Sequence, residues 1–207
     1  MLKTLGVEKL IFIIIAAAMV VGVGIWIYLE SKPLPTYGQQ LPDLGRTHVP
    51  IGTPEFYNSN PPTSGPHYEV WTTANIYDNP LDDRNLIHSL EHGYIIMSYN
   101  CDVQAAHNLN LNEASMSAQT ATDSATLSQP FREQSCTDLK NNLTQIFTEK
   151  GKRKLIVVPR PSLKYPIALT AWTRLENLEQ FDKERISRFI DAYRDQGPEK
   201  TMEPAPL

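Results

Sequence analysis

The sequence predicts an α+β protein: one N-terminal transmembrane helix, then a small mixed β-sheet packed with helices. Three observations carry this. Residues 10–29 (LIFIIIAAAMVVGVGIWIYL) hold no charge over about 20 positions, the length a helix needs to cross a hydrocarbon core. Beyond residue 80, apolar residues recur at helical spacing in some stretches and as short unbroken runs in others. Those stretches fall in the order strand, helix, strand, strand, helix after a first short helix, which builds one sheet with helices against it rather than a strict βαβ alternation.

The apolar run is expected to be an uncleaved signal anchor covering residues 1–30. A cleaved signal peptide has a shorter apolar stretch followed by small residues, whereas Ala16, Ala17 and Ala18 lie inside this one. Trp26 and Tyr28 sit near its outer end, where amphipathic aromatics favour the interface. Lys3 and Lys9 precede the run with Glu8 opposing them, while Glu30 and Lys32 follow and cancel; since Lys and Arg count most, the positive-inside rule puts the N-terminus in the cytoplasm and the body outside. The expected location is a cell membrane, single-pass, with residues 10–29 as the membrane contact. Cys101 and Cys136 suit that oxidising side as a disulfide pair; two free thiols are the alternative.

Residues 31–50, rich in Pro, Gly and Gln, read as a linker. Residues 51–198 read as a single extracytoplasmic domain and residues 199–207 as a flexible tail. Within the domain, Pro54, Pro61, Pro62 and Pro66 leave residues 52–71 irregular. A short helix is expected over 81–92, with Asp82 and Asp83 at its positive end and Gly93 as its stop. Residues 94–99 (YIIMSY) form a buried strand, and 115–128 a mobile polar loop. A helix over 133–150 precedes strands at 155–158 and 167–172, expected to pair as a hairpin, and a last helix covers 181–194.

The net charge of −4 and pI near 5.7 argue against nucleic acid as a partner. Lys150, Lys152, Arg153 and Lys154 read as a solvated turn. No protein partner is named by the sequence. No phosphate loop, dinucleotide fingerprint, nucleophile elbow or haem attachment motif occurs.

The histidines carry the chemistry. His88 and His92 lie four apart on the expected helix, so both rings leave one face, a standard grip on a transition metal. Glu91 stands beside them as ligand, second-shell partner or base. His67 ends a loop stiffened by three prolines and turned by Gly65, which suits a third ligand held in place. Copper or zinc fits this set, and Met97 or Cys101 joining it would favour copper. Such ligands must be neutral, so affinity is expected to fall below about pH 6–6.5. His48 in the linker and His107 in the polar segment read as solvated.

NPPTSGPH (residues 60–67), then Trp71, then HSLEHG (88–93) before an apolar strand, resembles an uncharacterised prokaryotic family, domain of unknown function 3105. PIALTAW (166–172) and FIDAYR (189–194), leading to Gly197 and Pro198, fit as well. The likeness covers about residues 50–198. It implies an N-terminal membrane segment and a shared site drawn from His67, Trp71, His88, Glu91, His92 and Gly93, with Ser64 and Gly65 supporting the loop. It implies no activity.

Three functions compete. The first is a membrane-anchored metal-binding module for metal handling or redox protection. The second is a metal-dependent hydrolase with Glu91 as general base, since HSLEH also matches an inverted zinc-peptidase pattern. The third is a non-metal interaction module whose histidines only tie the proline loop to the helix.

Overall fold

The uncharged N-terminal run forms a helix, α1 (Val7–Glu30). A computed structural model describes residues 6–30, 36–104 and 129–202. The chain divides into two units, Met1–Thr36 and Tyr37–Leu207. In the first, the side chains of residues 11–26 are described and all are exposed. Among the described residues no helix is long and apolar enough to cross a membrane, so the expected transmembrane assignment of α1 is not supported.

The second unit is a mixed α+β domain. Its elements are β1 (Gln39–Gln40), β2 (Asn75–Ile76), α2 (Asp83–Glu91), β3 (Ile95–Tyr99), α3 (Gln129–Glu149), β4 (Leu155–Pro159), β5 (Ile167–Ala171), β6 (Arg174–Leu178) and α4 (Lys183–Tyr193). They build one six-stranded sheet in the order β1-β6-β5-β3-β4-β2. β3 and β4 run parallel, joined by a connection that contains α3, while β5 inserts antiparallel on the other side of β3.

That order corrects the expected hairpin. Residues 155–158 and 167–172 do not pair, because β3 lies between them; β5 instead turns back on β6 through Trp172 and Thr173. The linker assignment also changes. The domain unit begins at Tyr37, Gln39 and Gln40 pair with β6, and His48 bridges to His67. Short sequences without an apolar period can be ordered by backbone pairing alone, which composition does not reveal. Lys154 likewise leaves the expected solvated turn. It is 1 % exposed, and its Nζ donates to His92 O and Thr201 O, both at 2.7 Å. The tail is tied down as far as it is described, since Glu199 N–H donates to Glu91 O at 3.0 Å. Residues 105–128, including His107 and the expected mobile loop, lie outside the described residues.

The sheet has two unlike faces. Side chains alternate along a strand, so Ile95, Met97 and Tyr99 of β3 point into a cluster with Leu143 and Ile146 of α3 and Ile186, Phe189 and Ile190 of α4. Ile96 points the other way, with Ile156 and Val158, against Leu86 and Leu90 of α2. The two helical layers thus sandwich the sheet, and α2 alone of the domain's described helices packs on the second face. A disulfide joins Cys101 to Cys136, with Cα atoms 4.8 Å apart, at the edge of the first cluster.

Candidate metal centre

Sequence fixes where α2 starts and stops. The Asp82 carboxylate accepts the Arg84 N–H at 2.9 Å, capping the first turn. At the other end Gly93 takes φ +82, a left-handed conformation that glycine adopts without strain. A side chain there would also meet Asp195 Cα at 2.8 Å. Gly197 is tighter still: an added Cβ would lie 2.1 Å from Glu91 O. The C-terminal segment therefore crosses directly over the end of α2.

The proline-rich loop is ordered and mostly buried from residue 61 to 68. Ser64 Oγ accepts the Leu44 N–H at 3.0 Å. The Gly65 N–H donates to Gly45 O at 2.9 Å, His67 N–H to Thr47 O at 3.0 Å, and Val49 N–H to His67 O at 2.8 Å. These bonds lay residues 44–49 alongside the loop and bring His48 to the site. Ser89 fastens the helix to the segment after the loop, accepting from Thr72 N–H at 2.9 Å.

Three imidazoles meet as a result. The ring centres of His48, His67 and His88 form a near-equilateral triangle, with sides of 4.9, 4.9 and 5.0 Å. A carbonyl can only accept, so two tautomers follow. His67 Nδ1–H donates to Gly65 O and His88 Nδ1–H to Tyr68 O, each at 2.8 Å. In the neutral rings each Nε2 then carries the lone pair, and fixing the far nitrogen on a carbonyl is how metal-binding histidines are oriented.

Glu91 completes this group. Its Oε2 lies 2.8 Å from His67 Nε2, and both atoms are buried without a hydrogen bond. Two such atoms side by side are what a cation would satisfy. Donor atoms of His48, His67, His88 and Glu91 all lie within 4.8 Å of one another. In a tetrahedral shell with 2.0–2.1 Å bonds the donors stand about 3.4 Å apart, so the group would draw in by up to about 1.4 Å around an ion.

His92 takes a different place from the one expected. Its Nε2 is 3.1 Å from His88 Nε2 and 3.8 Å from Glu199 Oε2. His88, His92 and Glu199 form a second donor group. Trp71 flanks both rings, its centre 4.9 Å from His92 and 5.7 Å from His88. Burial lowers the His88 pKa, helped by His67 and His48. Burial, with His88 next, brings that of His92 down to about 4. Burial thus favours the neutral form of both rings.

The sulfur candidates drop out. Met97 is packed in the apolar cluster on the opposite sheet face, and the Cys101 sulfur is bound to Cys136. His48 and Glu199 are the members that sequence reasoning missed. Neither has a local signal: one is recruited by backbone pairing and the other by a close glycine crossing. A cleft of about 320 Å³ opens elsewhere, between Leu86, Val158, Arg160 and Ser162, and none of the histidines lines it.

A family model described as a protein of unknown function, DUF3105, matches residues 48–205. The chain belongs to this family. The matched span contains every member of both donor groups. No curated protein and no solved structure matches the chain.

Proposed function

We propose that this DUF3105 domain is a metal-binding module held on the outer side of a cell membrane, with one divalent first-row ion at His48, His67, His88 and Glu91. The observation that carries the reading is the buried contact of His67 Nε2 with Glu91 Oε2, neither of which makes a hydrogen bond, flanked by two more imidazoles. Three nitrogens, one carboxylate and no sulfur suit zinc or another borderline divalent ion better than copper(I). Bound there, such an ion would act as a Lewis acid or as cargo. The residues favour cargo: Glu91 is 3 % exposed and faces His67, so it serves as a donor rather than as a base towards substrate. A purely structural cluster would satisfy its polar atoms with hydrogen bonds, and these two do not. Residues 10–29 support the membrane location by their uncharged length and the lysines before them.

Titration of the purified full chain with zinc tests the site. One ion per chain is expected, and none at that affinity in the variant with His48, His67 and His88 all changed to Ala. Equal binding by the two proteins would overturn the reading. N-terminal sequencing tests the anchor separately, and a mature chain beginning after residue 29 would overturn it.

A further inference from the structure

His88 has one lone pair to give. Its Nδ1–H is committed to Tyr68 O at 2.8 Å, so the neutral ring offers Nε2 alone. That Nε2 lies 3.1 Å from His92 Nε2. Two lone pairs do not bond, so His92 Nε2 carries the hydrogen and donates it to His88. His92 is thus a donor rather than a ligand in waiting. It covers the one atom through which His88 could join His48, His67 and Glu91 around an ion. The backbone of His92 is held, because its N–H donates to His88 O at 3.2 Å and its carbonyl accepts from Lys154 Nζ at 2.7 Å. The ring is the part that can turn. Glu199 Oε2 stands 3.8 Å from the same His92 Nε2, about an ångström beyond a hydrogen bond to a carboxylate.

We propose that His92 and Glu199 form a hydrogen-bond switch that couples metal binding to the C-terminal segment: as His88 Nε2 turns to the ion, the His92 Nε2–H passes from His88 to Glu199. The inference rests on the metal-binding reading above. The exchange balances, since one N–H···N bond breaks, one N–H···O bond forms and His88 gains its bond to the ion. The hydrogen stays on His92 Nε2 throughout, and no electron moves. Two effects of opposite sign follow. The bond to His88 competes with the ion, and the bond to Glu199 offsets that competition. Glu199 is placed to do so: its N–H is fixed on Glu91 O at 3.0 Å, and Asp195 N–H on Gly93 O at 2.9 Å, while its half-exposed side chain can close the gap. Coupling of this kind is reciprocal, so an ion that gains from the Glu199 contact also tightens the segment against the end of α2. Glu199 and His92 are on this account positioning residues, acting on the ion through His88.

The experiment titrates Zn²⁺ into the full chain in detergent against a competing chelator. Wild type should bind one zinc. Glu199→Ala should weaken that binding about fivefold, the effect of one hydrogen bond. In a His92→Ala background the same change should have no such effect, a coupling that a double-mutant cycle isolates. His92→Ala alone should stay within about threefold of wild type, because it removes the competing bond and the offsetting bond together. His92→Phe, which keeps a ring without an N–H, should repeat that result, and thermal melts check that each variant folds. Hydrogen exchange reads the far end of the switch: zinc should slow exchange of the Asp195 and Glu199 amides in wild type and not in His92→Ala. Equal weakening by Glu199→Ala in both backgrounds, or amides that bound zinc does not slow in wild type, would overturn the switch. Loss of zinc from folded His92→Ala and His92→Phe would make His92 a ligand and overturn it as well. Absence of zinc from wild type would overturn the metal reading itself, and the switch with it.

Discussion

The two faces of the sheet differ in what they bury. Against α3 and α4 lies a cluster of aliphatic and aromatic side chains, with Leu143, Phe189 and Ile190 completely enclosed. Against α2 the same sheet offers a smaller apolar patch, and the remaining interior holds His67, His88, Glu91 and His92. Burying apolar area stabilises at roughly 25 cal/mol per Å². Burying ionisable groups costs free energy unless they are fully partnered. The first face therefore holds the fold, and the second uses that margin to bury His67, His88, Glu91 and His92.

Damage to the first face should show as stability alone. Phe189→Ala removes a wholly buried ring and should cost about 3–5 kcal/mol, lowering the melting temperature by on the order of 10 °C. Zinc stoichiometry at 20 °C should stay at that of wild type. Loss of zinc from a still-folded Phe189→Ala protein, seen by calorimetry beside circular dichroism, would show that the faces are not independent. The converse change is His88→Ala. Because both donor groups need this residue, zinc affinity should fall by at least about 100-fold. The metal-free melting temperature should shift far less than in Phe189→Ala.

The contrast also explains what could be read from the sequence. The apolar face was legible because helical and strand periodicities are local: residues 133–150 and 181–194 were placed as helices, and both form within a few residues of those bounds. The α2 half of the site was legible for the same reason, since Asp82, the four-residue histidine spacing and Gly93 lie in one short stretch. The strand order was not, because pairing of β5 with β3 rather than β4 depends on contacts some 70 residues apart. β6 was missed altogether: its RLENL run has too few β-branched or aromatic residues to stand out. His48 and Glu199 reach the site through backbone bonds, which leave no mark on residue type.

Acid should act through the second face. In the metal-free protein His92 has its pKa lowered by burial to about 4, against roughly 6.5 when unfolded. Below pH 6.5 the unfolded chain takes up a proton that the folded one refuses until about pH 4. Stability is thus complete above the unfolded value and is lost as pH falls through this window, by about 3 kcal/mol. His88, lowered in the same direction, deepens the loss. Denaturant midpoints measured from pH 7 to 4 should show the decline. His92→Gln should flatten it, while Phe189→Ala should shift the whole curve without changing its slope.

The smallest effect should come from Arg46, at the boundary between the dry site and water. Its guanidinium lies 3.6 Å from Glu91 Oε1, with the Arg side chain 57 % exposed and the Glu side chain 4 %. Two opposite signs of effect are conceivable on replacing it. If Arg46 only neutralises the Glu91 charge, it competes with the ion, and Arg46→Ala should tighten zinc binding. If it holds the carboxylate in place, the same change should loosen it. The geometry favours competition. The contact is too long for a hydrogen bond, while Glu91 is already fixed by its place in α2 and by His67 at 2.8 Å. An exposed pair of this kind is worth at most about 1 kcal/mol, so the gain in affinity should be no more than about fivefold. Screening gives the decisive control: the gain should be present at ~20 mM salt and largely gone at ~1 M, where the Debye length shrinks to about 3 Å. A loss of affinity that persists at high salt would make Arg46 a positioning residue and would extend the rigid part of the second face out to the surface.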